Sequence, residues 1–176
     1  ITWLKEANKN PETKELLRLD FSVGSVCNAK CITCNSGSST TWAAEDHKFG
    51  KNKYKYSLKP GQDKDQITSI DVSKLEQVYF TGGEPFMIQE HFDLLKYSAE
   101  QGYSKDQEIH YNTNGTQWPE GAEDLWKQFK LVEIAFSIDN VGKRFEYERF
   151  GADWADANKI IDTTHGLKLS YPNITT

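Results

Sequence analysis

At 176 residues the chain has the length of one domain and enough of it to bury a core. Its 21 Lys and Arg against 26 Asp and Glu leave a formal charge of −5, which argues against a nucleic-acid-binding surface. No apolar run approaches the ~18 residues that cross a bilayer, and Lys5, Glu6 and Lys9 stand where a signal peptide would carry its apolar centre. The expectation is a folded cytoplasmic domain without membrane or nucleic-acid partners, with residues 1–14 as an N-terminal extension and 15–176 as the domain proper.

Leu17, Leu19, Phe21 and Val23 alternate as a first strand does. Gly24 and Ser25 then open a loop that holds every cysteine of the chain: Cys27, Cys31 and Cys34. Three thiols within one short loop make a poor disulfide framework and a good wrap for one compact metal centre. Three thiolates fit a [4Fe-4S] cluster with one iron left open to another ligand, whereas electron-transfer clusters take four cysteines. The competing arrangement is a Cys3His zinc site completed by His47, the core of a non-catalytic zinc-stabilised binding domain; structural zinc, however, favours paired ligand knuckles. Chance crowding of buried cysteines sits poorly with the polar Asn28, Lys30, Thr33 and Asn35 between and beside them.

Ser38 to Lys48 follows as a short helix, with Ser38 or Ser39 as N-cap and Trp42 on its apolar side. Residues 46–66 read as a hydrophilic lid or mobile insert. Gln77 to Thr81 is a buried strand running into Gly82, Gly83, Glu84 and Pro85. A helix over Gln89 to Glu100 ends at Gly102, and Glu108 to Asn112 is strand, turning at Asn114-Gly115. A helix from about Glu120 to Lys130, a strand over Ile134 to Ile138 and a helix from Trp154 to His165 stopped by Gly166 come next. Leu167 to Tyr171 is the expected fifth strand.

Strand and helix alternate throughout, so the sheet is expected to be parallel, with every strand's carboxyl end on one rim, where α/β sheets bind ligands. That rim would gather Cys27 to Cys34, Gly82 to Glu84, Asn112 to Asn114 and Ser137 to Asp139. The two glycines let a ligand approach bare backbone, and the Glu84 carboxylate suits an ammonium group. Plainer roles compete: a tight turn for Gly82-Gly83, turn chemistry for Asn112 and Asn114, a helix cap for Asp139-Asn140 with Ser137 bonded locally, and a solvated charge for Arg149. His91, His110 and His165, on helix or strand faces, carry little weight as ligands or bases.

Taken together, Cys27-Asn28-Ala29-Lys30-Cys31-Ile32-Thr33-Cys34, Gly82-Gly83-Glu84-Pro85, Thr113-Asn114-Gly115 and Ser137-Ile138-Asp139 resemble the radical S-adenosylmethionine (SAM) enzymes. The likeness covers roughly residues 15 to 171. The Trp42 helix and the run Glu146-Tyr147-Glu148-Arg149-Phe150-Gly151-Ala152 look like the twitch-domain branch, close to the SPASM maturases. The resemblance implies an α/β fold, a partial (β/α)6 TIM barrel ending here after strand five. Cys27, Cys31 and Cys34 would hold three irons of a [4Fe-4S] cluster, and the fourth would chelate SAM. Backbone at Gly82 and Gly83 with Glu84 would receive the SAM amino group, Ser137 and Asp139 would face its ribose or methionyl part, and Arg149 would pair with its carboxylate. An electron donor of flavodoxin or ferredoxin type would be needed, and a peptide or small molecule would be the substrate. No catalytic acid or base stands out. Three features depart from the pattern: Thr33 stands where an aromatic often meets the adenine, no sixth strand or downstream cysteine pair follows, and the chain opens at Ile1, so a fragment or shortened homologue of a longer protein is expected.

Overall fold

The computed structural model describes residues 15–22, 24–51 and 70–176. The expected N-terminal extension, Val23 and most of the expected lid lie outside the described residues. Strand β1 is Arg18–Ser22 and β2 is Lys30–Cys31; helix α1 is Thr40–Lys48 and strand β3 is Gln77–Thr81. A 3-10 turn at Pro85–Met87 leads to α2, Glu90–Glu100, and a second at Ser104–Asp106 to β4, Glu108–Thr113. Then come α3 (Ala122–Trp126), β5 (Leu131–Phe136), α4 (Lys143–Glu148), β6 (Arg149–Phe150), α5 (Trp154–Leu167) and β7 (Ile174–Thr175).

Five strands form one sheet in the order β1-β3-β4-β5-β7, every pairing parallel. The expected partial barrel is therefore present as an open sheet with β1 and β7 at its edges. Register lines up the apolar residues in rows: Leu19, Val78, Ile109, Val132 and Ile174, then Phe21, Phe80, Tyr111 and Ile134. Because side chains alternate between faces, both rows lie on one face, and they pack with Phe92, Leu94 and Leu95 of α2 and Trp126 of α3 into a single core. The other face is polar, carrying Tyr79 stacked on His110 at 4.3 Å, with His110 Nδ1 2.9 Å from a Glu133 carboxylate oxygen.

Within the core, His91 is fully buried. Its Nδ1 lies 2.6 Å from the Ile88 carbonyl, which can only accept, so Nδ1 donates. Nε2 then accepts from the Tyr111 hydroxyl at 3.1 Å, and the Trp126 indole N–H donates to the same Tyr111 oxygen. Burial pushes the His91 pKa down from its usual 6.5 to about 4.

The carboxyl-terminal part differs from the sequence expectation. Helix α5 runs through Gly166, and turns at Lys168 to Tyr171 follow it, so Leu167 to Tyr171 is not a strand. Leu169 is 92% exposed, whereas Ile174 is fully buried; the latter is the residue that extends the Val132 row. Pro172, lacking an N–H, ends the helical turns, and Asn173 secures the crossover by donating to the carbonyls of Trp126 and Phe129. Among the described residues, no helix is long and apolar enough to cross a membrane.

Candidate functional site

The cysteine loop leaves β1 and is held from three sides. From α1, the Ser39 hydroxyl donates to the Ala29 carbonyl at 2.7 Å, the Thr41 hydroxyl donates to the Cys27 carbonyl, and the Trp42 indole donates to the Cys31 carbonyl at 2.8 Å. Thr40 accepts from the Cys27 amide. Sequence reasoning passed over Thr40 and Thr41; the run of hydroxyl residues ahead of Trp42 was the available signal. With its carbonyls bound from behind, the loop is free to direct sulfur to the other side.

From β3, the amides of Gly83 and Glu84 donate to the carbonyls of Gly24 and Val26, each at 2.7 Å. A Cβ on Gly83 would stand 2.3 Å from the Val26 carbonyl oxygen, closer than nonbonded atoms approach. The glycine therefore lets two backbones touch. The third side is a short antiparallel ladder, Cys31 opposite Arg149 and Lys30 opposite Phe150, extended by the Ile32 amide donating to the Glu148 carbonyl. Alternation puts Cys31 and Arg149 on one face and Lys30 with Phe150 on the other, where the Lys30 ammonium lies 4.6 Å from the Phe150 ring centre and pairs with Glu45. Gly151 repeats the close approach: its φ of +99° excludes most side chains, and a Cβ there would meet the Asn28 carbonyl at 2.8 Å.

On the inner side lies a cavity of about 220 Å³. Cys27, Cys31 and Cys34 line it with Thr33, Gly82, Gly83, Asn112, Asn114, Ser137 and Arg149. The carboxyl ends of β1, β3, β4 and β5 thus converge as the parallel sheet required, joined by Arg149 of β6. All three thiols are free of disulfides. The Ala29 amide and the Asn114 side-chain amide donate to Cys27 Sγ at 3.5 and 3.8 Å, and Arg149 Nη1 donates to Cys31 Sγ at 3.6 Å. Burial pushes the Cys27 and Cys31 thiols up, against the pull of the Ala29 amide on the first and of the Arg149 charge on the second; metal binding here must therefore displace protons.

Two candidates, Glu84 and Asp139, are held by other residues of the chain. Glu84 has no exposed surface and both its oxygens are committed: Oε1 accepts from the Thr113 hydroxyl at 2.6 Å and the Phe86 amide at 3.2 Å, and Oε2 accepts from the Asn114 amide at 2.7 Å. Burial pushes its pKa up while those three donors pull it back. Its carboxylate braces the turn after β3 against the end of β4, directly beneath the cavity-lining Gly82 and Gly83. Asp139 does not line the cavity; it accepts from Arg149 Nη2 at 2.7 Å. Arg149 is no solvated surface charge, since its side chain keeps only 12% exposure.

Asn114 does two jobs. Its oxygen accepts from the Thr116 amide and hydroxyl, a turn contact, while its nitrogen reaches Cys27 and, at 3.0 Å, Asn28 Oδ1. The Thr116 hydroxyl also accepts from Asn28 at 2.8 Å.

The donor set fits a cluster better than a single ion. Three sulfurs line one cavity of about 220 Å³, the three-thiolate set that leaves one iron of a [4Fe-4S] cluster open. His47, in the last turn of α1, is not among the residues that line the cavity.

Comparison with known proteins agrees with this architecture. The family model described as Radical SAM superfamily matches residues 21–175. No curated protein matches. Among solved structures, anSMEcpe with bound AdoMet and Cp18Cys peptide aligns at 18% identity and a TM-score of 0.55, covering 92% of this chain and 42% of that one. The same protein with bound AdoMet aligns at 20% identity and a TM-score of 0.56, over 92% and 43%. It is an anaerobic sulfatase-maturating enzyme. The chain spans less than half its length, and the likeness is one of fold.

Proposed function

This chain belongs to the radical SAM superfamily, whose cofactors are a [4Fe-4S] cluster and SAM, and we propose that it binds both and uses them to abstract hydrogen from a peptide or small-molecule substrate. The observation that carries this is the single cavity shared by Cys27, Cys31, Cys34, Gly82, Gly83, Ser137 and Arg149. When bound, the reduced cluster supplies the electron that splits the SAM sulfonium bond into methionine and a 5′-deoxyadenosyl radical. The protein's part is to bind, orient and exclude water.

Cys27, Cys31 and Cys34 hold three irons. Gly82 and Gly83 offer backbone without side-chain cover to the amino end of SAM, with Glu84 fixing their turn from beneath. Ser137 faces the ribose or methionyl part, and Arg149, steadied by Asp139, meets the carboxylate. A small electron-transfer protein of flavodoxin or ferredoxin type reduces the cluster, and the reaction is cytoplasmic. The peptide held by the structural neighbour favours a peptide substrate and the maturase branch.

The test is anaerobic reconstitution of the whole chain with iron and sulfide. Four irons per chain and broad visible absorption are expected, lost when any one of the three cysteines becomes Ala and kept in His47→Ala. One zinc per chain, released by His47→Ala, would overturn the proposal.

A further inference from the structure

Of the three guanidinium nitrogens of Arg149, two have partners and one does not. Nη1 donates to Cys31 Sγ at 3.6 Å and Nη2 to Asp139 at 2.7 Å, while Nε is buried with no partner among the described residues. Its position is set by backbone, since Arg149 and Cys31 are directly opposite in the β2–β6 ladder and Gly151 lets that segment press against Asn28. The ladder sets the two backbones opposite each other, and the 2.7 Å bond to Asp139 with the side chain's 12% exposure keeps the guanidinium beside the sulfur. It is also largely withdrawn from water, where a charge acts on a neighbouring charge with little screening.

We infer that Arg149 is a positioning and tuning residue for the cluster: its N–H···S bond to the Cys31 thiolate raises the cluster's reduction potential, and the Asp139 carboxylate moderates that effect while holding the guanidinium in place. This rests on the proposal that the three cysteines hold the cluster. Adding one electron takes the cluster from the 2+ to the 1+ state and makes the cluster and its thiolates more negative. A hydrogen bond and positive charge at one sulfur favour that reduced state, because bonds to cluster sulfurs and local charge set the potential. The asymmetry is built in: the Cys27 donors are the neutral Ala29 and Asn114 amides, whereas the charged donor lies on Cys31 alone among the described residues.

The test is a potentiometric titration of the reconstituted whole chain, with dithionite as electron source and the electron paramagnetic resonance signal of the reduced cluster as readout. Arg149→Met is expected to keep its iron and to make reduction about tenfold less favourable, a downward shift of about 59 mV for one electron. Asp139→Asn is expected to shift the potential upward, since it removes a negative charge yet leaves an oxygen for Nη2. Opposite signs from two residues in contact are what tuning produces and what a packing role does not. If Arg149→Met fails to assemble a cluster, Arg149→Gln, neutral but still a donor, is expected to shift downward by less. Unchanged potentials at full iron content, or shifts of the same sign, would overturn this inference alone. Failure of the unsubstituted chain to hold a cluster would overturn the proposed function with it.

Discussion

Glu84 shows what a single residue's neighbours decide. A carboxylate after two glycines and before a proline can bind an ammonium group or cap a turn, and both need the same sequence. Its place is fixed by the Asn114 amide and the Thr113 hydroxyl, some thirty residues away and brought near only by the β3–β4 pairing. Glu84→Gln would set an NH2 group against one of those donors. The expected result is a loss of about 1 to 3 kcal/mol in urea unfolding of the apoprotein, and unchanged stability would contradict the bracing role. Gly83 was legible as a site of close approach, although what approaches is the protein's own Val26 carbonyl. Gly83→Ala must displace the cysteine loop, so a stability loss of about 1 to 3 kcal/mol and poorer iron retention after reconstitution are expected; a variant as stable and iron-rich as the parent would remove that constraint from the account.

Several elements long enough to show a period were legible, although the strand expected over Ile134 to Ile138 runs Leu131–Phe136, and those defined by partners were not. β3, β4 and α1 fall close to their expected places because alternation, or a serine cap before a helical run, is written locally. β2 and β6 have two residues each, which is no period at all, yet their pairing sets Arg149 against Cys31. Leu167, Leu169 and Tyr171 imitate a strand, and only the burial of Ile174 beside Val132 shows where the chain re-enters the sheet. The amino-terminal turn of α1 illustrates an element acting on the site through backbone. Trp42→Phe keeps the ring's bulk but removes the donor to the Cys31 carbonyl, so the reconstituted cluster is expected to lose iron to a chelator faster than the parent's. Equal rates would mean that the loop holds its shape without α1.

For the molecule as a whole, the parallel α/β plan and the convergence of strand ends on one cavity followed from the order of periodic segments, while the buried polar network did not. His91 looked like one more helix residue, because nothing in its own segment announces Tyr111 and Trp126. It gives the fold an acid-sensitive core. Its folded pKa, about 4, lies below the unfolded value of 6.5, so the unfolded chain binds the proton first. The stability tied to the neutral ring is complete above about pH 6.5, falls as pH drops, and is exhausted near pH 4, a span of about 3 kcal/mol. Urea midpoints measured from pH 7 to 4 should therefore fall less steeply in His91→Gln than in the parent, even if the variant is weaker at pH 7. Parallel curves would assign the acid sensitivity elsewhere.

The central claim is that three thiols of one loop leave an iron open and that SAM occupies it beside Gly82, Gly83 and Arg149. The most direct measurement is the electron paramagnetic resonance spectrum of the reduced, reconstituted chain before and after SAM is added, with 5′-deoxyadenosine assayed in the same sample. The account predicts a changed cluster signal on SAM addition and slow formation of 5′-deoxyadenosine without any substrate. A full cluster whose signal ignores SAM, with no 5′-deoxyadenosine formed, would contradict it.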